Sequence, residues 1–270
     1  MTSNPSNDNS DTDHFITRSQ NGIHHITINH VERMNAFNRA MWAALPTLIK
    51  DAEADDTINV IILTGAGEKA FCAGADISEF DDARTGDAAL EYDRLNNDVF
   101  DTLQNCSKPI IAVINGFTFG GGFQIAACCD LRIASDNALF AIPAAKLGIG
   151  YNPRWIKTLL TLISPANLKE ILFTGGRYDA HAMKEMGFLN HVTITDQLHA
   201  KAEALANAMS TNAPLSIRSS KLSIHAIANA PENADLKILD KAVQDCFESA
   251  DYAEGRAAFM QKRTPKYTGK

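Results

Sequence analysis

Two glycine-rich segments of the sequence carry backbone donors suited to binding an anion. The segment "FCAGAD" places Gly74 and Ala75 directly after a predicted strand, and "FGGGFQ" places Gly120, Gly121 and Gly122 at the start of a predicted helix. The first N–H groups of a helix have no partner within the helix, and the helix dipole favours negative charge there. Because glycine has no side chain, a ligand oxygen can approach the backbone closely. One N–H from each segment, directed at a common point, would form an oxyanion hole.

Other interpretations of these glycines are open at this stage. Glycines between a strand and a helix also serve close packing, without any ligand. A dinucleotide site is not favoured, because "GGGFQI" does not match G-x-G-x-x-G and no acidic residue is placed to bind a ribose. The sequence has no G-x-x-x-x-G-K motif, which argues against a nucleoside triphosphate site of the P-loop type.

Composition narrows the class of protein. The 270 residues are 45% hydrophobic and 21% charged, which is typical of a soluble globular chain with a sizeable core. The net charge of −7 and the lack of a basic stripe predict no nucleic-acid partner. No apolar run reaches the roughly 18 residues of a membrane span, so no membrane partner is predicted. The five cysteines form no C-x-x-C motif, which predicts a reduced, cytoplasmic protein without a metal site.

The order of predicted elements favours an α/β fold. The alternation in "GIHHITINH" predicts a strand from Ile23 to Ile28, and "INVIILTGAG" and "KPIIAVING" are typical of buried strands. "NRAMWAALPTLIKDAEAD" predicts a helix with a kink or an early turn at Pro46. "GGFQIAACCD" predicts a buried helix, and from Asn152 onward the chain is predicted to be mainly helical. These patterns predict a disordered leader over residues 1–13, a core over 14–200 and a helical C-terminal region over 201–270.

Several motifs, in this order along the chain, resemble the crotonase (enoyl-CoA hydratase/isomerase) family. They are "RMNAF", "FCAGADISEF", "KPIIAVINGFTFGGGFQIAACCDLRIAS", "FAIPAAKLGIGY", "LFTGGRYDAHAMKEMGFLNHV" and "GRAAFMQKRTPKY". The resemblance implies a crotonase spiral of ββα units with a helical C-terminal trimerisation region, and hence a homotrimer or a dimer of trimers. It also implies an acyl-CoA enzyme whose substrate is a coenzyme A thioester, with no further cofactor.

The resemblance also implies roles for individual residues. The two amides that bind the thioester oxygen in this family match Ala75 and Gly121. In the family, a coenzyme-binding set combines backbone groups near "NAF" and "AGADI" with an aromatic residue and a lysine of a neighbouring subunit. The matching residues are Ala36, Ala73, Asp76, Ile77, Phe259 and Lys262. For Lys262, a solvated surface position is the alternative.

The acid–base residues of the family's hydratases are replaced here. Those hydratases use two glutamates that share a catalytic water, and the matching positions are Gln124 and Ala144. An amide does not transfer protons near neutral pH, and a methyl group has no polar atom. The resemblance therefore implies an enzyme that stabilises a thioester enolate, with Gln124 in its site, but it leaves hydration open.

Two alternative functions follow from the same replacements. Tyr151 in "LGIGYN" matches a tyrosine of family decarboxylases that act on methylmalonyl-CoA, so it is a candidate to orient a substrate carboxylate. The other interpretation of Tyr151 is a ring packed in the core without a catalytic role.

The second alternative function is that of a non-catalytic subunit that binds acyl-CoA. Further acids after "AGADIS" are predicted to be solvated charges; they are Glu79, Asp81 and Asp82.

Overall fold

The computed structural model describes residues 11–12, 14–76, 86–229, 232 and 234–270. Its strands are β1 (Asp11–Thr12), β2 (Phe15–Gln20), β3 (Ile23–Ile28), β4 (Val60–Gly65), β5 (Ala70–Cys72), β6 (Ile110–Ile114), β7 (Phe117–Phe119), β8 (Leu131–Ser135), β9 (Leu139–Ala141), β10 (Tyr178–Asp179) and β11 (His191–Thr193). Its α-helices are α1 (Arg39–Ala54), α2 (Gly86–Asn105), α3 (Gly121–Cys128), α4 (Pro153–Leu160), α5 (Pro165–Thr174), α6 (Ala180–Glu185), α7 (Leu198–Ser210), α8 (Pro214–Asn229), α9 (Leu236–Glu248) and α10 (Ala250–Gln261). The candidates Ile77, Glu79, Asp81 and Asp82 lie outside the described residues, as does the predicted leader apart from β1.

The strands form two sheets. The larger has the order β1-β2-β3-β4-β6-β8-β11, and the smaller has the order β10-β9-β7-β5. In the larger sheet β1, β2 and β3 are antiparallel, whereas all neighbours from β3 to β11 are parallel. In the smaller sheet β5, β7 and β9 are parallel, and β10 is antiparallel to β9. The α/β fold class predicted from the sequence is confirmed.

Apolar composition explains why the central strands are parallel and covered on both faces. Every residue of β4 and of β6 is buried, and their sequences, VIILTG and IIAVI, are nearly continuous apolar runs. Strands of this kind are typical of sheets with helices or a second sheet on each side. One face packs in the main core with α1, α2 and α3, and the other packs against α7 through Ala202 and Ala206.

The helical predictions hold for most of the chain, but the early turn that was one of the two expectations for Pro46 does not occur. Helix α1 continues through Pro46 to Ala54, so the chain makes no turn there. Proline removes one helical hydrogen bond, but Met41, Trp42 and Leu45 on this helix are fully buried. Their packing keeps the helix intact.

The predicted boundary between residues 200 and 201 falls inside α7 (Leu198–Ser210). Ala202 and Ala206 of this helix belong to the core on the outer face of the larger sheet. Helix α7 therefore packs with the α/β core, and the helices that extend beyond this core begin with α8. The domain division itself stays a prediction.

The alternation of strands between the two sheets positions the glycine-rich segments. Three successive passes each place one strand in the larger sheet and the next in the smaller sheet: β4 and β5, β6 and β7, then β8 and β9. As a result β5 and β7 are parallel neighbours, with Ala70 opposite Phe117 and Cys72 opposite Thr118. The carboxyl ends of parallel strands lie at the same edge of a sheet. The loops that follow these two strands must therefore meet.

Gly122 shows how tightly these elements pack. A Cβ on Gly122 would lie 2.1 Å from the main-chain oxygen of Cys72. Alanine favours a helix over glycine by about 1 kcal/mol, but overpacking against main-chain atoms costs about 1–3 kcal/mol or more. We therefore expect Gly122→Ala to lower the free energy of unfolding, measured by urea denaturation.

The matched control is Gly150→Ala. A Cβ on Gly150 has no atom within 4 Å, and its φ is outside the left-handed region. We expect its free energy of unfolding to change by less than about 0.5 kcal/mol. Equal stability of the two variants would contradict the close contact between α3 and β5.

Candidate active site

The loops after β5 and β7 touch at Gly74. This residue has a φ of +103°, and a Cβ on it would lie 2.8 Å from the Phe119 oxygen and 3.3 Å from the Gly121 nitrogen. L-residues rarely adopt such a φ, and a side chain would in any case collide with the neighbouring loop. Glycine at position 74 therefore lets the two backbones approach, which brings the next residue, Ala75, beside the start of α3.

The local strand pairing leaves the amide of Ala75 without an acceptor among the residues that the structure describes. In a single parallel bridge, the Phe37 N–H donates to the Gly74 oxygen at 2.8 Å, and the Asp76 N–H donates to the Phe37 oxygen at 2.9 Å. The N–H of the residue between them is on the opposite side of the chain. The Ala75 nitrogen lies 3.7 Å from the position that a Cβ on Gly121 would take.

Gly121 contributes the second amide. It is the first residue of α3, so its N–H has no partner within the helix. No described residue accepts a hydrogen bond from the N–H of either Ala75 or Gly121. The structure thus places two unpaired amides, from loops 46 residues apart in sequence, beside the same cavity.

Helix α3 adds a favourable electrostatic field to this pair of amides. Its residues from Gly122 to Cys128 are all buried. At its far end the Arg132 guanidinium, which is 3% exposed, donates to the main-chain oxygens of Ala126 and Cys129 at 3.3 and 2.6 Å. A cation at the C-terminus balances the negative end of the helix dipole. The positive end remains directed at the cavity.

The Trp42 ring packs against Gly121. Its ring atoms would be 3.1 Å from a Cβ on Gly121, and its Nε1 donates to the Tyr92 hydroxyl at 2.9 Å. Trp42 and Tyr92 are both buried, on α1 and α2 respectively. Packing between these two helices therefore places the Trp42 ring against Gly121.

The cavity beside the two amides has a volume of about 510 Å³. Its walls are mainly apolar, and Ala144 presents a methyl group where the resemblance places a glutamate. Four lining side chains carry polar atoms: Asp93, Tyr151, Asn152 and Trp155. Asp93 is the only carboxylate among the described lining residues. A cavity of this size and character suits a small, largely apolar ligand that carries a few polar atoms.

Gln124 lies behind Tyr151 and is 1% exposed. The Tyr151 hydroxyl donates to Gln124 Oε1 at 3.1 Å, while Gln124 Nε2 lies 3.8 Å from Cys128 Sγ. Burial, with a smaller contribution from the Cys128 thiol, raises the pKa of Tyr151 well above its ordinary value, so its hydroxyl stays protonated at neutral pH. The Tyr151 hydroxyl has one hydrogen to donate, and it donates this hydrogen to Gln124. The hydroxyl can therefore bind a substrate carboxylate only if its hydrogen bond to Gln124 breaks.

The predicted coenzyme-binding residues are only partly brought together. Ala73 lines the cavity, and its N–H donates to the Met34 oxygen at 3.0 Å. Asp76 follows Ala75 directly and is half-buried. Ala36 is 8% exposed, and both its backbone groups have partners within the chain, since its N–H donates to Arg33 and its oxygen accepts from His30.

Phe259 and Lys262 lie at the end of α10 and do not line this cavity. Phe259 is 83% exposed, and Lys262 has a φ of +51° just after the helix. Both side chains are exposed and lie outside this cavity. Their coenzyme-binding role stays a prediction.

Asp93 was missed by the sequence analysis. It lies in a charged stretch, "EYDRLNND", whose acids are typical of a solvated helix face. One signal was available, because Tyr92, Leu95 and Val99 follow helical spacing as a buried face and Asp93 lies next to it. That spacing indicates a position at the edge of the core, but not which cavity the residue borders.

Neither a metal site nor a membrane span is found among the residues that the structure describes. The part of the chain that the structure describes has no group of three or more His, Cys, Asp and Glu side chains placed to hold a metal ion. In the same residues, no helix has the length and apolarity needed to pass through a bilayer. The absence of a metal or cofactor stays a prediction.

Comparisons with known proteins agree on one family. A family model described as enoyl-CoA hydratase/isomerase matches residues 18–270. The short-chain-enoyl-CoA hydratase of Clostridium acetobutylicum is 35% identical over 238 residues, 88% of this chain and 91% of the relative. The 1,2-epoxyphenylacetyl-CoA isomerase of Escherichia coli is 30% identical over 259 residues, 95% of this chain and 98% of the relative. The crystal structure of an enoyl-CoA hydratase/carnithine racemase from Magnetospirillum magneticum has a TM-score of 0.92 and 35% identity, covering 97% of each chain.

The buried hydrogen bond between Tyr151 and Gln124 can be tested by stability. In Tyr151→Phe the buried Gln124 oxygen loses its described donor, which costs about 1–3 kcal/mol. The control, Tyr178→Phe, removes a hydroxyl that bonds to Thr174 and Glu170 at the surface, where water replaces it. We expect the control to cost less than about 0.5 kcal/mol in urea unfolding. Similar losses in both variants would contradict the buried contact.

The cysteines are expected to be unreactive except for one. Burial raises the pKa of Cys72 and Cys129 to about 12 and that of Cys106 to about 11, and it raises the pKa of Cys128 as well. Because the thiolate is the nucleophile, we expect only the half-buried Cys246 to react rapidly with Ellman's reagent at pH 8. All five thiols should react in denaturant. Two or more fast thiols in the native protein, or a fast thiol in Cys246→Ser, would contradict this burial.

Proposed function

Because the chain belongs to the enoyl-CoA hydratase/isomerase family, we propose that its two unpaired amides bind the thioester oxygen of an acyl-coenzyme A and stabilise the enolate formed from it. Family membership confirms the crotonase-type fold and the acyl-CoA enzyme that the sequence motifs predicted. The positions of the donors, Ala75 and Gly121, are part of the proposal.

One observation carries this proposal: the amides of Ala75 and Gly121 are adjacent, unpaired and beside an apolar cavity. When the α-carbon of a thioester loses a proton, negative charge collects on the carbonyl oxygen. Donors fixed in advance in an apolar site stabilise that charge without having to reorient. Substrate and enolate differ mainly in the charge at this oxygen, so the amides favour the enolate and lower the barrier.

Among the family's reactions, the cavity supports double-bond isomerisation better than hydration. Hydration by the two-glutamate route needs two carboxylates that share a water, and Gln124 and Ala144 provide neither. Isomerisation needs only an enolate stabiliser and one group that removes and returns a proton. Both reaction types occur among the relatives' names, since one is a short-chain-enoyl-CoA hydratase and another a 1,2-epoxyphenylacetyl-CoA isomerase.

Decarboxylation of a carboxyacyl-CoA is the second candidate, and Tyr151 is its proposed orienting residue. The ring lines the cavity, which favours this role. The hydrogen bond from its hydroxyl to Gln124 argues against it, because the proton that would bind the carboxylate is already in use. Isomerisation therefore has the stronger support.

We further propose that the coenzyme lies along the loop that contains Ala73 and that a neighbouring copy supplies Phe259 and Lys262. The exposure of Phe259 and the large apolar side chains exposed on α8, α9 and α10 support contact between copies in a trimer. They include Ile224, Ile227, Ile238, Phe247 and Met260. A cytoplasmic location is proposed because all five cysteines are free.

The amide pair is tested with Ala75→Pro, which removes one N–H donor that the fold itself does not use. The probe reaction is exchange of the α-protons of butyryl-CoA for deuterium, measured by mass spectrometry, because exchange reports enolate formation whatever the net reaction. We expect the exchange rate to fall about 10²–10³-fold.

Ala75→Gly is the matched variant, since it removes the methyl group but keeps the N–H. We expect it to lose much less activity than Ala75→Pro, with both variants folded by circular dichroism. Equal losses would contradict the donor role of Ala75.

The proposed reaction is tested on the native enzyme. We expect it to convert 3-hexenoyl-CoA to its conjugated isomer and not to hydrate crotonyl-CoA. Efficient hydration of crotonyl-CoA would contradict the proposal that the enzyme is an isomerase.

A further inference from the structure

We infer that Asp93 is the proton-transferring carboxylate of this cavity, taking over the role of the residues replaced by Gln124 and Ala144. This inference rests on the proposed enolate chemistry and identifies the base that it requires. Asp93 lines the cavity that holds the two unpaired amides, and it is the only described carboxylate that does so. Tyr151 is the other titratable side chain among the described lining residues, and burial raises its pKa, so it stays protonated.

The other aspartates on the same helix are engaged elsewhere. Among the α2 aspartates whose side chains are described, Asp98 is 3.7 Å from Lys50 and Asp101 is 3.2 Å from Arg154. Asp93 has no hydrogen-bond or ion-pair partner among the described residues. A cationic partner stabilises the charged form of a carboxylate and so makes it a weaker base. Because Asp93 has no such partner among the described residues, it is suited to act as a base.

Hydrogen bonds of neighbouring residues on α2 orient the helix face that contains Asp93. Asn97 lies one turn later on this face and accepts a hydrogen bond from Trp155 Nε1 at 3.0 Å. Trp155 also lines the cavity, together with the start of α4. On the adjacent face, Tyr92 is buried and bonded to Trp42. Contacts on two faces of α2 therefore set the rotation of the helix, and with it the position of Asp93.

The inferred reaction moves one proton from C2 to C4 of the same substrate molecule. For a 3-enoyl thioester, the Asp93 carboxylate takes a proton from C2, and the electron pair of that bond enters a dienolate whose oxygen is bound by the amides. The carboxylic acid of Asp93 then returns the proton to C4. The double bond moves from C3–C4 to C2–C3, the carboxylate is regenerated, and no oxidant or second reactant is needed.

The experiment compares Asp93→Asn with Asp98→Asn. Both changes replace an aspartate by its amide on the same helix, but Asp98 lies outside the cavity and pairs with Lys50. We expect Asp93→Asn to slow both isomerisation of 3-hexenoyl-CoA and α-proton exchange of butyryl-CoA by about 10²–10⁴-fold. The dissociation constant for butyryl-CoA should change less than about threefold, and Asp98→Asn should match the native rates. Asp93→Glu, which keeps a carboxylate, is expected to recover part of the lost rate.

The outcomes separate this inference from the proposed function. If native enzyme exchanges α-protons, Ala75→Pro loses exchange and Asp93→Asn keeps it, the role of Asp93 is overturned while the amide pair stands. If Asp93→Asn loses binding as much as rate, or Asp98→Asn loses the same activity, Asp93 is structural and the inference fails. If native enzyme binds acyl-CoA but neither exchanges protons nor isomerises the 3-enoyl thioester, the proposed function fails, and the inference fails with it.

Discussion

The site depends on the close approach of two backbones, where Gly74 lies against Phe119 and Gly121. A side chain at Gly74 would separate the loops, and the Ala75 amide would then no longer lie beside the start of α3. The approach is possible because β5 and β7 are parallel neighbours that end at the same edge of the smaller sheet. The backbone conformation that glycine allows at position 74 thus gives the cavity a chemical property, since it brings two main-chain N–H groups together.

The positive character of this cavity comes from neutral backbone groups rather than from cations. No lysine or arginine is among the described lining residues. The field is supplied by two amides and by the N-terminus of α3, whose opposite end is balanced by the buried Arg132. Such donors cannot be neutralised by a change of pH, and they attract a developing oxyanion more than a neutral carbonyl. The arrangement therefore favours a charge that appears during the reaction over one already present in the substrate.

The proposed oxyanion site and the inferred proton-transfer group lie on different elements of the fold. The amides come from the loops after β5 and β7, whereas Asp93 comes from α2, and the expected acid–base positions on α3 and after β9 hold Gln124 and Ala144. The amide pair can therefore stay unchanged while the carboxylate moves to another wall of the same cavity. This separation is one physical reason why a single fold can support several reactions on one class of thioester.

The sequence alone determined the features that depend on neighbours along the chain. Continuous apolar runs predicted β4 and β6, and helical patterns predicted the C-terminal helices. The resemblance of the glycine-rich motifs to a known family pointed to Ala75 and Gly121. Only the tertiary structure decided that α1 passes through Pro46, that Gln124 faces Tyr151 and that Asp93 lines the same cavity as the amide pair. These outcomes rest on contacts between residues far apart in sequence. Local patterns carry no information on which distant surface a side chain will meet, because packing of the whole chain sets the rotation of each helix.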